Sequence, residues 1–154
     1  MMRLCYASIR QELHNDLLQD LSDILAAARN FNQLNGIHGV LYYAEDYFFQ
    51  CLEGDAELLE KLYAKIERDP RHHQLLRFAN ICIEQQYFKH WSMKYVNRHS
   101  AVSNLFTKFG LKSFLPHQLT EDQIPVLLEM LHKLENDSLR NQAGYKNRGY
   151  QNFF

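Results

Sequence analysis

Residues 37–53, IHGVLYYAEDYFFQCLE, contain two runs of β-branched and aromatic residues separated by the polar pair Glu45-Asp46. Strand-forming runs that are joined by two polar residues are typical of a tight β-hairpin. The segment therefore predicts two antiparallel neighbours, one strand over 37–44 and the other over 47–53.

Gln50 is the polar exception within the second of these strands. Because side chains alternate along a strand, Gln50 shares one face with Phe48 and Leu52, while Phe49 and Cys51 fall on the other face. An unpaired buried amide costs about 1–3 kcal/mol. Either the protein itself or a bound ligand must therefore supply hydrogen-bonding partners to Gln50.

The segments on both sides of the hairpin complete a regular order of elements. Apolar residues recur at helical spacing over about 16–35, and again from the N-capping residue Asp55 to just before Pro70. Three further runs are typical of strands: 4–8, 75–83 and 93–96. The order β-α-β-β-α-β with a fifth strand predicts the α+β class, a ferredoxin-like five-stranded mixed sheet with two helices on one face.

Two weaker helical patterns follow the last predicted strand, one ending at Gly110 and one over about 120–134. A sheet with both of its helices on one face leaves the other face bare, so we expect these C-terminal helices to cover it. The predicted organisation is a core over 1–97, a C-terminal helical cap over 98–139 and a basic, aromatic tail over 140–154.

The composition favours one folded domain. The chain has 154 residues, of which 46% are hydrophobic and 23% charged, unlike a disordered sequence. A formal net charge of -1 argues against a protein that functions mainly by binding nucleic-acid phosphates. No apolar run approaches the roughly 20 residues of a membrane helix, and no signal-peptide pattern is present. We therefore expect a cytoplasmic protein without direct nucleic-acid or membrane contact.

Motifs for metal or enzymatic chemistry are missing from the sequence. The 8 histidines show no HxxxH or HxH spacing. The 3 cysteines are widely separated, which predicts buried thiols rather than a disulfide framework. P-loop, dinucleotide-binding and nucleophile-elbow motifs are also absent. We expect no metal site and no enzymatic activity.

Six segments match one known family in order and spacing: LCYAS at 4–8, ARNFN at 28–32, GIHGVLYY at 36–43, FFQCLEG at 48–54, DPRH at 69–72 and FKHWSM at 88–93. Together they resemble the BLUF domains, which are blue-light sensors that use FAD. The resemblance covers about residues 3–97. The remaining residues look like the end of short BLUF proteins that lack a fused enzyme domain.

The resemblance implies a photoactive set of four residues: Tyr6, Gln50, Trp91 and Met93. Tyr6 matches the tyrosine that passes an electron and a proton toward the excited flavin. Gln50 matches the glutamine that bridges this tyrosine and the flavin N5/O4 edge. Asn32 matches the asparagine that holds the O4 and N3 side. Trp91 and Met93 match a pair whose arrangement around the glutamine is linked to signalling.

The resemblance also implies that FAD binds noncovalently between the sheet and the two helices. The cofactor-binding positions that it predicts are Tyr6, Ile24, Ala28, Arg29, Asn30, Asn32, Gln50, Leu52, Asp69, Arg71, His72 and Met93. A sensor without an effector domain implies a regulatory partner protein, bound in a light-dependent way through the C-terminal helices.

Two other functions stay open beside the photoreceptor. One is a small flavin-dependent redox enzyme that works in the dark, and the other is a ligand-free ferredoxin-like interaction protein. The oligomeric state is also open, because short BLUF proteins include monomers and ring assemblies, so a homo-oligomer is among the expectations.

Overall fold

The sheet of the computed structural model, which describes residues 1–136, has the ferredoxin-like order of strands. Its elements are β1 (Met2–Arg10), α1 (Leu17–Asn35), β2 (His38–Ala44), β3 (Tyr47–Gly54), α2 (Ala56–Glu67), β4 (His72–Arg77), β5 (Ile81–Cys82), β6 (Lys94–Asn97), α3 (Ser100–Lys108) and α4 (Ile124–Lys133). The strands lie in the order β4-β1-β3-β2-β6, and β5 also pairs with β1. Only the β2–β6 pair is parallel among these described strands, so the sheet is mixed and five strands wide, which confirms the prediction.

The predicted hairpin is formed by β2 and β3. Its two turn residues, Glu45 and Asp46, have φ values of 53° and 70°. Positive φ at both central positions is the geometry of the tight turn whose twist matches that of the strands. The Tyr43 hydroxyl donates a hydrogen bond of 2.9 Å to the Asp46 carboxylate and holds the turn from one side.

Both helices begin and end at the residues that the sequence predicts. Asp16 accepts a hydrogen bond of 2.9 Å from the Gln19 N–H at the start of α1, and Gly36 ends the helix in the left-handed region at φ 64°. Asp55 caps α2 in the same way, 3.0 Å from the N–H of Leu58.

Two apolar layers lie on opposite faces of the sheet. The layer of α1 and α2 includes these strand side chains, which alternate with those of the other layer: Leu4, Tyr6, Leu41, Tyr43, Phe48, Leu52. The layer of α3 and α4 includes the intervening ones: Cys5, Ala7, Val40, Tyr42, Phe49, Cys51. The period of two predicted for the hairpin is therefore confirmed, and α3 and α4 cover the face that the first two helices leave bare.

The predicted strand over 75–83 is wrong in its continuity, since it is divided into β4 and β5. Between them Phe78 turns its ring into the layer of α3 and α4, where it is buried. The N–H of Ala79 leaves the sheet and donates to the Glu121 carboxylate at 3.2 Å. The Phe78 N–H still donates to the Cys5 carbonyl at 3.0 Å, so the pairing with β1 breaks after Phe78 and resumes in β5.

Three smaller expectations also need correction. β1 continues to Arg10, beyond the predicted end near Ser8, because it pairs with β3 on one side and with β4 on the other. Met93 lies just before β6, which begins at Lys94. Cys82 is exposed rather than buried, since it lies in the short edge strand β5.

α4 is preceded by a 3-10 turn, Glu121–Gln123, and Pro125 stands in its first turn, where proline needs no hydrogen-bonded N–H. The predicted tail over 140–154 and the last three residues of the predicted cap lie outside the described residues. No helix within residues 1–136 is long and apolar enough to cross a membrane.

Glu53 joins the sheet to the loop that leads to β6. Its side chain is 0% exposed and accepts hydrogen bonds of 2.9 and 2.7 Å from the Arg3 guanidinium. The other carboxylate oxygen accepts the backbone N–H groups of Tyr87 and Phe88 at 2.7 and 2.8 Å. A buried charge paired on both oxygens fixes the loop against β1 and β3.

We predict that Glu53→Ala lowers the free energy of unfolding by about 3–5 kcal/mol, because it leaves a guanidinium and two N–H groups without their acceptor. Urea unfolding measures the change. Glu57→Ala is the matched control, at a side chain that is 80% exposed, and should change stability by less than about 0.5 kcal/mol. Similar losses in both variants would contradict the role given to Glu53.

Candidate functional site

A cavity of about 270 Å³ opens between α1, α2 and the sheet. It is lined by Ile24, Ala27, Ala28, Phe31, Asn32, Leu52, Leu62, Lys65, Ile66, Asp69 and Arg71. Its volume lies just below the roughly 300–1,000 Å³ of sites that enclose a whole drug-sized ligand. The cavity therefore suits one flat ring system better than a complete dinucleotide.

A second hollow of about 50 Å³ extends the cavity toward β1. Ile24, Ile66, Asp69 and Arg71 line both spaces, and Tyr6, Phe48 and His72 complete the smaller one. We call the two together the crevice. The crevice brings together eight of the twelve predicted cofactor-binding positions: Tyr6, Ile24, Ala28, Asn32, Leu52, Asp69, Arg71 and His72.

Tyr6 and Gln50 form the polar centre beside the crevice. They are partners in the antiparallel β1–β3 register, so both side chains leave the sheet on the same face. The Tyr6 hydroxyl donates a hydrogen bond of 2.5 Å to Gln50 Oε1. Gln50 Nε2 donates to the Met93 sulfur at 3.6 Å, a weak acceptor. The glutamine thus has one strong and one weak partner.

Burial keeps the Tyr6 phenol protonated. Tyr6 is 4% exposed, and desolvation, followed by the nearby Tyr63 and Asp69, raises its pKa well above the ordinary value of 10.0. The hydroxyl is therefore a hydrogen-bond donor across the whole physiological range, which fixes the oxygen of Gln50 toward it.

Asn32 places an unsatisfied oxygen at the cavity wall. Its Nδ2 donates to the Ser92 carbonyl at 2.7 Å. Its Oδ1 is buried and has no hydrogen-bond partner within residues 1–136. A buried acceptor without a donor costs free energy that a ligand N–H would recover.

Arg29 and Asn30 differ from the other residues predicted on α1. Arg29 is half-buried and donates to the Met93 carbonyl at 3.2 Å, so it holds the segment before β6. Burial lowers the pKa of its guanidinium. Asn30 is exposed and lines neither part of the crevice, because it lies on the outer face of the helix.

Asp69 and Arg71 form an ion pair at the crevice wall, with 2.6 Å between Arg71 Nη2 and Asp69 Oδ2. Burial alone would raise the pKa of Asp69, but the hydrogen bonds from Arg71 outweigh it and lower the pKa. His72 lies next to this pair and is fixed through both ring nitrogens, to the Ser8 hydroxyl at 2.9 Å and to the Ile66 carbonyl at 2.6 Å.

Trp91 lies on the other side of the sheet from the crevice. It packs against the layer of α3 and α4, with its ring 5.4 Å from that of His132. The Lys94 ammonium sits 4.2 Å from the indole centroid. Trp91 and Met93, predicted as a pair, are therefore divided between the two layers, and only Met93 touches Gln50.

Sequence reasoning missed part of the cavity wall, namely Ala27, Leu62, Lys65 and Ile66. Leu62 and Ile66 belong to the apolar face predicted for α2, so their spacing already pointed toward the sheet. Lys65 carried no such signal, since a charged residue between apolar positions normally lies in solvent. Its ammonium stands 5.2 Å from the ring of Phe31, which also lines the cavity.

The described part of the chain contains no candidate metal site. Within residues 1–136 no group of three or more His, Cys, Asp or Glu side chains could hold a metal ion. The polar groups of the crevice are the Asn32 amide, the Tyr6 phenol, the His72 imidazole, the Lys65 ammonium and the Asp69–Arg71 ion pair, which suit hydrogen bonding to an organic ligand.

Comparison with known proteins identifies the class of this fold and site. A family model described as "BLUF: Sensors of blue-light using FAD" matches residues 1–94. The chain belongs to the BLUF family. The resemblance inferred from the six sequence segments is confirmed.

Solved BLUF proteins share this architecture. The photo-activated state of BlsA is 46% identical with a TM-score of 0.86, and covers 89% of this chain and 98% of its own. The ground state of BlsA is 44% identical with a TM-score of 0.86, over 96% and 99%. The dark-state structure of BlrB is 28% identical with a TM-score of 0.70, over 84% and 92%.

Curated relatives are much longer proteins. The photoactivated adenylate cyclase subunit alpha of Euglena gracilis is 32% identical over 124 residues, which are 74% of this chain and 12% of that protein. The blue light- and temperature-regulated antirepressor BluF of Escherichia coli strain K12 is 29% identical over 59 residues, 38% of this chain and 15% of that protein. The chain thus spans a small part of these relatives.

Three features of the crevice match the planar part of a flavin. Its volume suits one ring system, its walls are largely apolar, and the oxygen of Asn32 stands at its wall without a donor. The imide N–H of a flavin ring is a donor of the kind that this oxygen lacks.

The raised pKa of Tyr6 predicts a stability loss at high pH. In the unfolded chain a tyrosine titrates near 10.0, so above that pH the unfolded state releases a proton that the folded state keeps. Unfolding is then favoured by about 1.4 kcal/mol at about pH 11. Urea unfolding at about pH 8 and about pH 11 should show this extra loss in the wild type but not in Tyr6→Phe. Equal losses in the two proteins would show that Tyr6 ionises normally.

Proposed function

We propose that this chain is a blue-light photoreceptor that binds FAD noncovalently in the crevice and changes its binding of a regulatory protein when lit. The observation that carries the proposal is the buried Tyr6–Gln50 hydrogen bond beside a cavity of ring size. Membership of the BLUF family supports the same conclusion.

The residues of the crevice divide into three tasks toward the flavin. Ile24, Ala28 and Leu52 form apolar walls for the ring, and Asn32 offers its free oxygen to a ring N–H. Asp69, Arg71 and His72 lie at the end nearer β1, where the ion pair and the fixed imidazole suit the polar chain of the cofactor. Arg29 acts on the site indirectly through the Met93 carbonyl.

FAD would supply the absorption of blue light and, when excited, an acceptor for an electron. Tyr6 is the donor, and its hydrogen bond gives the phenolic proton a direct route to Gln50. Gln50 can then change its hydrogen bonds at small cost, because its nitrogen is held only by the Met93 thioether. The two ends of an amide are nearly equal in size, so this rearrangement needs no extra volume.

The rearrangement reaches the C-terminal helices through β6. Met93 touches Gln50, and the next two residues hold the end of α4: Lys94 Nζ donates to the His132 carbonyl at 2.7 Å, and the Tyr95 N–H donates to Asn136 Oδ1 at 2.8 Å. A shift of Met93 therefore moves groups that fix α4. We propose that the regulatory protein binds α4. We also propose that Trp91 contributes to signalling from the face of the sheet that α3 and α4 cover.

We predict that Tyr6→Phe and Gln50→Ala retain bound flavin but lose a reversible red shift of its absorption after blue light. Tyr6→Phe removes the proton donor and Gln50→Ala removes the rearranging amide. Absorption spectra before and after illumination measure both effects. Asn30→Ala, at an exposed position outside the crevice, is the control and should retain the shift.

Other outcomes of the same experiment would reject the proposal. A wild-type protein that holds no flavin would favour the ligand-free interaction protein. A flavin spectrum that only bleaches would exclude the photoreceptor. Steady oxidation of a nicotinamide cofactor in darkness would favour the redox enzyme instead.

We predict that Lys94→Met keeps the red shift but weakens the response of α4 to light. Lys94 is 1% exposed and burial lowers its pKa, yet its hydrogen bond joins β6 to the end of α4. Hydrogen exchange of residues 124–133 in dark and light measures the response. Lys133→Met, at a side chain that is 71% exposed, is the matched control. A full light response in Lys94→Met would show that the signal takes another route.

A further inference from the structure

A second tyrosine, Tyr63 of α2, lies against the photoactive one. The rings of Tyr6 and Tyr63 are 5.5 Å apart between centroids and meet edge to face at 63°. Tyr63 is 5% exposed, so little water separates it from Tyr6. Two phenols in contact have the same intrinsic ease of oxidation, so an electron vacancy on Tyr6 could pass to Tyr63.

Arg77 makes the two tyrosines different. Its guanidinium carbon lies 4.9 Å from the centroid of the Tyr63 ring, within the range of a cation–π interaction. A cation over the ring stabilises its electrons and opposes their removal. Arg77 is also the β4 partner of Tyr6 in the β1–β4 register, so strand pairing itself carries the guanidinium to this place.

The guanidinium is held firmly over Tyr63. It donates to the two Glu60 oxygens at 2.9 and 2.5 Å and to Asn80 Oδ1 at 3.0 Å. A bidentate pair with a further acceptor fixes the plane and direction of an arginine side chain. The cation therefore stays on the face of the ring.

The proton route differs between the two phenols as well. A tyrosine that loses an electron also loses its hydroxyl proton, and Gln50 Oε1 accepts that of Tyr6. No residue among 1–136 accepts a hydrogen bond from the Tyr63 hydroxyl. Oxidation of Tyr63 would have to release its proton to water.

We propose that Arg77 is a positioning residue that keeps the electron vacancy on Tyr6, because its charge makes Tyr63 harder to oxidise. This inference rests on the proposed electron donation by Tyr6. In the step that Arg77 opposes, Tyr63 gives one electron to the Tyr6 phenoxyl and its hydroxyl proton to water. Tyr6 takes back one proton from the Gln50 side, and Tyr63 is left as the phenoxyl. A vacancy that has moved away cannot return along the Tyr6–Gln50 bond, so the light-driven rearrangement would be lost.

Arg77→Gln tests the inference, since it removes the charge. Flavin-loaded wild type and variant are illuminated with a nitroso spin trap, and peptide mass mapping locates the adduct. We expect about two- to fivefold more adduct on Tyr63 in Arg77→Gln, the factor that the loss of a partly exposed cation–π contact implies. The red shift formed per absorbed photon should fall at the same time.

Two further variants separate charge from structure. Arg77→Lys keeps a cation and should resemble the wild type, whereas Tyr63→Phe/Arg77→Gln removes the oxidisable phenol of Tyr63 and should recover the red shift. Wild-type labelling of Tyr63 in Arg77→Gln would overturn the proposal. So would a double variant with the defect of the single one, because the defect would then be structural.

A dark experiment keeps the inference independent of the photochemistry. Azide radicals oxidise the full-length protein as purified, and adducts on the Tyr63 peptide are compared between wild type and Arg77→Gln. We expect the same direction of change, with more labelling of Tyr63 in the variant. A wild type without any red shift would reject the photoreceptor, while equal dark labelling of the two proteins would reject the role of Arg77 alone.

Discussion

The antiparallel register of β1 and β3 is the constraint on which the site depends. It sets Tyr6 opposite Gln50, with Cys5 opposite Cys51 one step away on the other face. Because side chains alternate with a period of two, a shift of one residue would turn the phenol and the amide into different layers. The helices of both layers pack on side chains that this register has already sorted, so the crevice and the cap are consequences of one strand pairing.

Gln50 shows how a buried polar group can be both satisfied and free to change. Its oxygen has a short, strong bond, while its nitrogen has only a thioether partner. A site in which every polar group were tightly paired would be more stable but would have one arrangement only. The unpaired oxygen of Asn32 adds to the same local conflict between stability and function, which is characteristic of functional sites.

The sequence predicted those parts of the site that lie on regular elements. The period of two over 47–53 gave the correct face for Gln50, and the capping residues gave the ends of α1 and α2. The side of Trp91 could not be read from the sequence, because Trp91 lies outside the strands and helices and its direction depends on packing against His132, far away in the chain. The break after Phe78 was hidden for a similar reason, since the Phe78 ring is buried in the layer formed with the distant helices α3 and α4.

The clamp around Glu53 has a consequence for the order in which the protein assembles during synthesis. Arg3 and Glu53 can meet once β1, β2 and β3 have formed, but the N–H groups of Tyr87 and Phe88 arrive only later. The chain is made from its N-terminus, so Tyr87 and Phe88 emerge after Arg3 and Glu53 are already available. Until then Met93 has no fixed place beside Gln50. During synthesis the strands β1 to β3 and the helices α1 and α2 therefore become available before the responsive site does, and a polypeptide released before residue 93 would be partly folded but unable to respond to light.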